Sequence, residues 1–251
     1  MRREILHLES VDSTNTYLKE AARNGAADGT VVIAARQTAG RGRTGNSFAS
    51  ADGGLYCSML FRTEELELSE TVSLTTRAGV AASDAVSAVT GIAPGIKWVN
   101  DLILNGKKIA GILVEAGPFS NERIPYAVVG IGINVNQTAF PEELAGKASS
   151  LRLECGRAIR LSEAETALIR YLDLLRAELR SGGDRYLQTY RERCVTLGKT
   201  VCFDRNGVSV LCKAVGITEE YGLQVVHTDG REETLRSGEV RVRGIDGYLS
   251  T

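Results

Sequence analysis

The sequence has only two histidines, His7 and His227, which lie far apart and lack the spacing of metal ligands. A histidine-centred catalytic triad or zinc site is therefore not expected. The five cysteines are scattered and form no C-x-x-C pair, which argues against a disulfide framework and against a thiolate zinc site. This cysteine usage is typical of a reducing compartment, so we expect a cytoplasmic protein.

The chain also lacks an excess of charge of either sign. Thirty Lys and Arg residues face 31 Asp and Glu residues, giving a net charge of -1 at pH 7 and no overall attraction to nucleic acid or anionic membranes. No apolar run approaches the roughly 20 residues that span a bilayer, and the first residues contain no signal-peptide core. We expect no nucleic-acid or membrane partner, and any anion must be bound by a local cluster of cations.

What the chain does have is enough length, 251 residues of which 43% are hydrophobic, for one large domain or a large and a small one. Hydrophobic periodicity and turn residues predict alternating helices and strands up to about residue 194. Strands are predicted over 30–35, 55–61 and 126–136, and a hairpin over 96–104 and 107–115 that turns at Asn105-Gly106. Helices are predicted after residues 12–15 with an end at Gly25, over 70–89, over 162–180, and over a shorter stretch to about 194. The helix over 162–180 is capped by Ser162 and broken at Gly182-Gly183.

The pattern changes after about residue 194. Short strands separated by glycine-containing turns are predicted over 200–203, 208–215, 223–227 and 239–243, which is typical of a small β-barrel. We therefore predict two domains, residues 1–194 and residues 195–251.

A glycine-rich loop follows the predicted strand at 30–35. Gly40, Gly42 and Gly45 match G-x-G-x-x-G, but no helix begins inside the motif, so a dinucleotide-binding loop is excluded; no P-loop motif is present either. Glycines let the backbone approach a ligand, and Arg41 and Arg43 offer planar donors for a carboxylate or phosphate. We interpret the loop as an anion clamp; the alternative is a solvated basic turn.

The predicted hairpin places two lysines, Lys97 and Lys108, beside apolar strand residues. Cations in such a position need a partner, which favours an anion site, although both could point to solvent from one face. Asn100 and Asp101 can accept from hydroxyls or hold a hard cation.

Glycines also interrupt the strand at 126–136. Gly130 and Gly132 weaken it, which indicates close approach of a ligand, or else a bulge or tight packing against a helix.

In this order, these segments resemble those of biotin protein ligases, the biotin–acetyl-CoA-carboxylase ligases. The resemblance covers about residues 5 to 250 and rests on five short segments, at 12–15, 40–43, 97–101, 108–115 and 130–134. It implies an α+β fold with a mixed β-sheet and helices packed behind it, of the class II synthetase-like kind, followed by a small C-terminal SH3-like β-barrel.

The resemblance assigns residues to biotin. It implies that residues at the helix start bind the ureido ring, that the glycine-rich loop closes over the carboxylate and the nucleotide phosphates, and that Lys108 contacts the carboxylate and the α-phosphate. The implied biotin-binding residues are Ser13, Thr14, Asn15, Gln37, Gly40, Arg41, Gly42, Arg43, Lys108, Gly111, Gly130 and Gly132.

The resemblance also assigns the nucleotide side. The implied ATP-binding residues are Lys97, Asn100, Asp101, Asn134 and Phe48, with Asp101 as a Mg²⁺ ligand and with Lys108, Arg43 and Lys97 as the catalytic cations. The chain departs from the family pattern at Val99, usually proline, at Phe48, often tryptophan, and at Thr44 and Asn46, often basic. These departures concern mainly the nucleotide contacts.

The implied activity is an ATP- and Mg²⁺-dependent ligation in which biotin is activated as biotinyl-5′-AMP and transferred to a lysine of a biotin carboxyl carrier domain. Such a reaction needs no enzyme nucleophile, in agreement with the scarcity of histidine. A lipoate-protein ligase-like acyl-adenylate transferase and a non-catalytic biotin sensor are the alternatives. A homodimer is left open, and no N-terminal DNA-binding domain is expected.

Overall fold

The computed structural model describes residues 3–66, 70–118, 124–181, 185–205, 207–236 and 243–244, which form two β-sheets and five α-helices. The strands are β1 (Ile5–Val11), β2 (Val31–Gln37), β3 (Leu55–Leu66), β4 (Gly95–Lys97), β5 (Asp101–Leu104), β6 (Lys107–Ala116), β7 (Ile124–Ile133), β8 (Thr200–Arg205), β9 (Val208–Ile217), β10 (Leu223–His227), β11 (Glu232–Leu235) and β12 (Arg243–Gly244). The helices are α1 (Thr14–Arg23), α2 (Glu70–Thr90), α3 (Leu151–Cys155), α4 (Leu161–Ser181) and α5 (Tyr186–Arg193).

The first sheet has seven strands in the order β1-β2-β3-β7-β6-β5-β4. The β1–β2 pair is parallel and the other described pairs are antiparallel, so the sheet is mixed. Helix α1 makes the crossover that a parallel pair requires. Ser13 caps this helix, since its side chain accepts a hydrogen bond from the Thr16 amide.

The two faces of this sheet are covered differently because successive side chains of a strand point to opposite sides. On one face, Val31 and Ile33 of β2 pack into the main core, against which α2 and α4 also pack. On the other face, Val32 joins a smaller cluster with Leu18 of α1 and Val128 of β7.

The α1 face is left open where glycines replace apolar side chains. Gly130 and Gly132 continue the row of Val128 on β7, and Gly111 of β6 lies in register with Gly132. Because these three residues bring no side chain, space remains above the sheet beside α1, and this space forms the cavity described below.

The second sheet is antiparallel, with the order β11-β10-β9-β8-β12. Its buried residues, such as Val201 and Phe203, belong to the same core as α2 and α4. A mixed sheet with helices behind it, followed by a small second sheet, is the α+β class that the sequence predicts. The domain boundary at residue 194 stays a prediction. Within the described ranges, no helix is both long and apolar enough to cross a membrane.

The hairpin is the largest local difference from the sequence prediction. Its first arm is not one strand over 96–104 but two, β4 and β5, separated by a turn that contains a cis Trp98–Val99 peptide bond. The tight turn itself is confirmed, since Asn105 and Gly106 have φ values of 48° and 75°.

Several ends and elements also differ from the prediction. Ser162 is not a cap, because α4 begins at Leu161 and the Arg160 carbonyl accepts from the amides of its first turn. Strands β1 and β11 and helix α3 were not predicted, and β7 runs over Ile124–Ile133 instead of 126–136. The predicted break at 182–183 and residues 239–242 of the last predicted strand lie outside the described residues.

Candidate active site

A cavity of about 410 Å³ opens above the glycines of β6 and β7. It lies between the glycine-rich loop, the start of α1 and the turn that joins β4 to β5. The described residues that line it are Ser13, Thr14, Asn15, Gln37, Arg41, Gly42, Arg43, Asn46, Phe48, Tyr56, Lys97, Trp98, Asn100, Asp101, Lys108, Gly111, Ile112, Leu113, Gly130, Ile131, Gly132 and Lys147. Most residues assigned by the resemblance are thus brought together.

One end of the cavity is built from neutral hydrogen-bonding groups. Gln37 Oε1 accepts from the Thr14 amide at 2.8 Å, and the buried Ser58 hydroxyl lies 2.7 Å from Thr14 Oγ1 and 2.6 Å from Asn15 Oδ1. Asn15 Nδ2 donates to the Leu113 carbonyl at 3.2 Å. This end suits a neutral ligand group that both donates and accepts hydrogen bonds.

Gly130 makes this neutral end possible. A Cβ atom at this position would lie 2.1 Å from Asn15 Oδ1. Two non-bonded atoms cannot approach each other that closely, so position 130 requires glycine as long as Asn15 keeps its place.

The glycine-rich loop folds back on itself to reach over the cavity. The Gly42 amide donates to the Asn46 carbonyl at 2.7 Å, and the Phe48 amide donates to the Gly40 carbonyl at 2.9 Å. This fold directs Arg43 to Asn100, with 3.4 Å between its Nη1 and Asn100 Oδ1.

Arg41 of the same loop reaches Glu115 of β6, with 3.4 Å between Nη1 and Oε1. Burial opposes ionisation of Glu115, but hydrogen bonds from Lys19 and Asn15 outweigh it and lower the pKa of this carboxyl below its usual value. Glu115 is therefore a carboxylate at neutral pH, and it lies behind the cavity wall.

The other end of the cavity is cationic. Arg43, Lys97, Lys108 and Lys147 line it, and Asp101 is the single carboxylate among the described residues that line the cavity; Arg41 lies nearer the neutral end, beside Glu115. Lys108 Nζ lies 2.6 Å from Asp101 Oδ1, an ion pair without the geometry of a directed hydrogen bond. With four cations against one carboxylate, this end favours a ligand with several negative charges.

The turn that carries Lys97 and Asn100 into the cavity is held by residues beyond α5. The backbone amide of Trp98 donates to Thr196 Oγ1 at 2.9 Å, and its indole N–H donates to the Tyr221 carbonyl at 3.0 Å. The second sheet and its approach therefore support this wall of the cavity.

A second cavity of about 120 Å³ adjoins the main one and shares Phe48, Lys108 and Lys147 with it. The Phe48 ring lies over Gly132 and Gly111, where a Cβ atom would approach it to 2.6 and 3.0 Å, and Lys108 Nζ is 5.6 Å from its centroid. The second cavity is more apolar; its described lining residues are Phe48, Ala49, Lys108, Asn134, Phe140, Leu144, Lys147 and Ala148.

Two assigned residues do not line the main cavity. Gly40 instead allows close chain packing, since its Cβ would lie 2.4 Å from the Phe48 carbonyl oxygen. Asn134 lines the second cavity, and its Nδ2 donates to the Ser149 carbonyl at 3.0 Å.

Sequence reasoning missed several residues of the site. Tyr56 and Lys147 line the main cavity, and Ser58 and Glu115 support it from behind. Burial raises the pKa of Tyr56 to about 12, so its phenol stays neutral. The alternation of β3 could have placed Tyr56 and Ser58 on one face, but no motif marks Lys147.

A mixed sheet with a cavity that is neutral at one end and cationic at the other defines a class of protein whose site suits small molecules with both a hydrogen-bonding head and negative charge. The model of the biotin/lipoate A/B protein ligase family matches residues 7–134. The chain belongs to this family, which confirms the resemblance inferred from the five segments.

Relatives and solved structures agree with this membership. The bifunctional ligase/repressor BirA of Bacillus spizizenii is 40% identical over 162 residues, 63% of this chain, which therefore spans only about half (49%) of that relative. The biotin--[acetyl-CoA-carboxylase] ligase of Mycobacterium tuberculosis is 32% identical over 234 residues, 91% of this chain and 85% of that protein. Biotin protein ligase from Aquifex aeolicus, solved in complex with biotin and ATP, superimposes with a TM-score of 0.83 at 30% identity, covering 97% of this chain and 100% of that one.

Proposed function

We propose that the protein is an ATP-dependent biotin–protein ligase that activates biotin as biotinyl-5′-AMP and transfers it to a lysine of a biotin carboxyl carrier domain. The observation that carries this proposal is the joining, in one cavity, of a neutral amide-and-hydroxyl end to an end with four cations. The neutral end suits a ureido ring, and the cationic end suits a carboxylate beside a triphosphate. The Mycobacterium tuberculosis relative and the Aquifex aeolicus structure are both named biotin ligases.

The reaction joins two anions. A carboxylate oxygen of biotin attacks the α-phosphorus of ATP, the bond to the β-phosphate breaks, and pyrophosphate leaves. An acceptor lysine amine then attacks the acyl carbon, AMP leaves with the electron pair of the broken C–O bond, and the nitrogen loses a proton. Arg43, Lys97 and Lys108 bring the anions together and offset the charge that develops at phosphorus.

The second cavity fits the adenine base. Phe48 and Phe140 give it aromatic surface, and Phe48 also borders the main cavity, so a base here would lie next to phosphates at the cationic end. The proposal therefore gives Phe48 to the nucleotide, as the resemblance implies, and adds Phe140 and Leu144.

A magnesium ion fits the site only as a companion of the nucleotide. No three His, Cys, Asp or Glu side chains of the described chain cluster as metal ligands, and the Asp101 carboxylate already pairs with Lys108. Mg²⁺ typically uses one or two carboxylates together with substrate phosphates, so Asp101 would hold it there and the ion would neutralise phosphate charge.

Compartment and partner follow from the same proposal. The five cysteines are free thiols, which supports a reducing cytoplasm. The acceptor is proposed to be a biotin carboxyl carrier domain because the Mycobacterium tuberculosis relative is named for acetyl-CoA-carboxylase.

The proposal is tested by biotin-dependent exchange of radiolabelled pyrophosphate into ATP, followed by mass spectrometry of an added carrier domain. We expect exchange that requires biotin, and a biotin-sized mass increase on the carrier. Exchange that requires lipoate would instead establish a lipoate ligase. Biotin binding without exchange or mass increase would establish a sensor.

Gly132→Ala is expected to weaken ATP binding more than biotin binding. The new Cβ would lie 2.6 Å from Phe48 Cε1, so the ring must leave its place and the base loses its stacking partner. Stacking of a base on an aromatic side chain is worth about 1–3 kcal/mol, so the KM for ATP should rise about tenfold.

The control is Phe48→Ala, alone and with Gly132→Ala. If the glycine substitution acts through the ring, the double variant has the same KM for ATP as Phe48→Ala alone. Losses that add in the double variant would contradict this assignment.

A further inference from the structure

Building on the proposed ligase function, we infer that Glu115 is a positioning residue that connects the neutral end of the cavity to the glycine-rich loop. It does not line the cavity, yet it contacts Asn15 at the neutral end and Arg41 of the loop, with its side chain only 14% exposed. A single carboxylate thus holds two walls that would surround biotin.

Glu115 fixes the orientation of the Asn15 amide. Its Oε2 accepts from Asn15 Nδ2 at 3.0 Å, while Asn15 Oδ1 faces the hydroxyl of Ser58 at 2.6 Å. Because a carboxylate only accepts hydrogen bonds, it excludes the flipped amide, in which two oxygens would meet. The donor and acceptor pattern offered to a ligand is therefore fixed.

Glu115 also docks the loop, but through its weaker contact. Oε1 lies 2.9 Å from Lys19 Nζ and 3.4 Å from Arg41 Nη1, and the Arg41 side chain is 52% exposed. Lys19 still neutralises the carboxylate when Arg41 leaves, so a ligand anion can take Arg41 without stranding a buried charge. Arg41 is thus held near the cavity until a ligand arrives.

The first test is Glu115→Gln, which keeps the shape and removes the charge. An amide can accept or donate, so Asn15 is no longer fixed and Arg41 loses its ion pair. We expect the KM for biotin in pyrophosphate exchange to rise about tenfold, as for the loss of one charge-assisted hydrogen bond, with kcat and the KM for ATP within about twofold of wild type. A merely structural role would lower kcat and thermal stability instead.

The matched control is Glu178→Gln. Glu178 is also an ion-paired carboxylate, 18% exposed, but it pairs with Arg185 away from the cavity. Its substitution should leave both KM values unchanged. Equal KM values for biotin in Glu115→Gln and wild type would overturn the inference.

A double-mutant cycle with Arg41→Gln tests the loop contact. If Glu115 acts partly through Arg41, the fold-increase in the KM for biotin caused by Glu115→Gln is smaller in the Arg41→Gln background than in wild type, by a factor of at least about three. If the two substitutions act independently, their fold-changes in the KM for biotin multiply. That result would show that Glu115 does not act through Arg41.

Hydrogen exchange of the ligand-free protein separates this inference from the proposed function. Amides 40–46 should exchange faster in Glu115→Gln than in wild type or Glu178→Gln, because the loop has lost an anchor. If wild type catalyses no biotin-dependent pyrophosphate exchange, the ligase proposal is refuted. Hydrogen exchange of the loop would then still decide whether Glu115 anchors it. Unchanged protection of the loop would refute the anchor even in an active ligase.

Discussion

Lys108→Ala should lower kcat/KM of biotin-dependent pyrophosphate exchange by about two orders of magnitude or more, the loss typical of removing one preorganised charge donor. Lys108 lines both cavities, so its ammonium lies where the carboxylate of the acid and the α-phosphate of the nucleotide would meet. In wild type the Asp101 carboxylate lies 2.6 Å from the Lys108 ammonium. The alanine variant removes this pairing, so Asp101 would face the carboxylate of the acid and the phosphates of the nucleotide.

The fold should survive this substitution. The backbone contacts of Lys108, its amide to the Lys147 carbonyl and its carbonyl to the Ser149 amide, do not depend on the side chain. The melting temperature is nevertheless expected to fall, since the largely buried Asp101 carboxylate loses this cation, while unfolding should remain a single cooperative transition.

Lys107→Ala is the matched control. Lys107 is the neighbouring lysine, but its side chain is 44% exposed, it pairs with Glu154 at 3.6 Å and it lines neither cavity. Its loss should change exchange by no more than about twofold. A Lys108→Ala enzyme within about threefold of wild type would show that the reacting groups meet elsewhere.

The parts of the site that could be predicted from sequence are those carried by short segments. Interleaved glycines and arginines predict a loop that approaches an anion, and Arg41 and Arg43 line the cavity. Asn105-Gly106 predicts the turn that brings β6 back along β5, and with it Lys108 next to Asp101. In both cases the determining residues are neighbours in the chain.

The parts that could not be predicted depend on contacts between distant residues. Asn15 and Glu115 are 100 residues apart, and only the packing of α1 against the sheet brings them to 3.0 Å. The capping prediction at Ser162 was wrong for a related reason. Glu165, three residues after Ser162, contacts the distant His7 of β1 at 2.9 Å. Local patterns thus identify the binding groups better than the residues that support them.

Gly130→Ala should raise the KM for biotin by about two orders of magnitude, a loss comparable to misplacing a binding group by about 1 Å. The added Cβ would lie 2.1 Å from Asn15 Oδ1. Asn15 cannot yield easily because Ser58, Glu115 and the Leu113 carbonyl hold its amide from three directions. Calorimetric titration with biotin measures the loss directly, and ATP binding should be largely retained.

Two variants separate this clash from general damage to the fold. Gly79→Ala in α2 adds a Cβ whose nearest neighbour is Ile96 Cγ2 at 3.7 Å, an ordinary contact, so it should bind biotin normally and be about 0.5–1 kcal/mol more stable. Asn15→Ala/Gly130→Ala removes the obstructing amide, so it should regain thermal stability relative to Gly130→Ala while binding biotin no better than Asn15→Ala. Normal biotin affinity in Gly130→Ala would place the ureido ring elsewhere, because a fixed Asn15 and a Cβ at this position exclude each other.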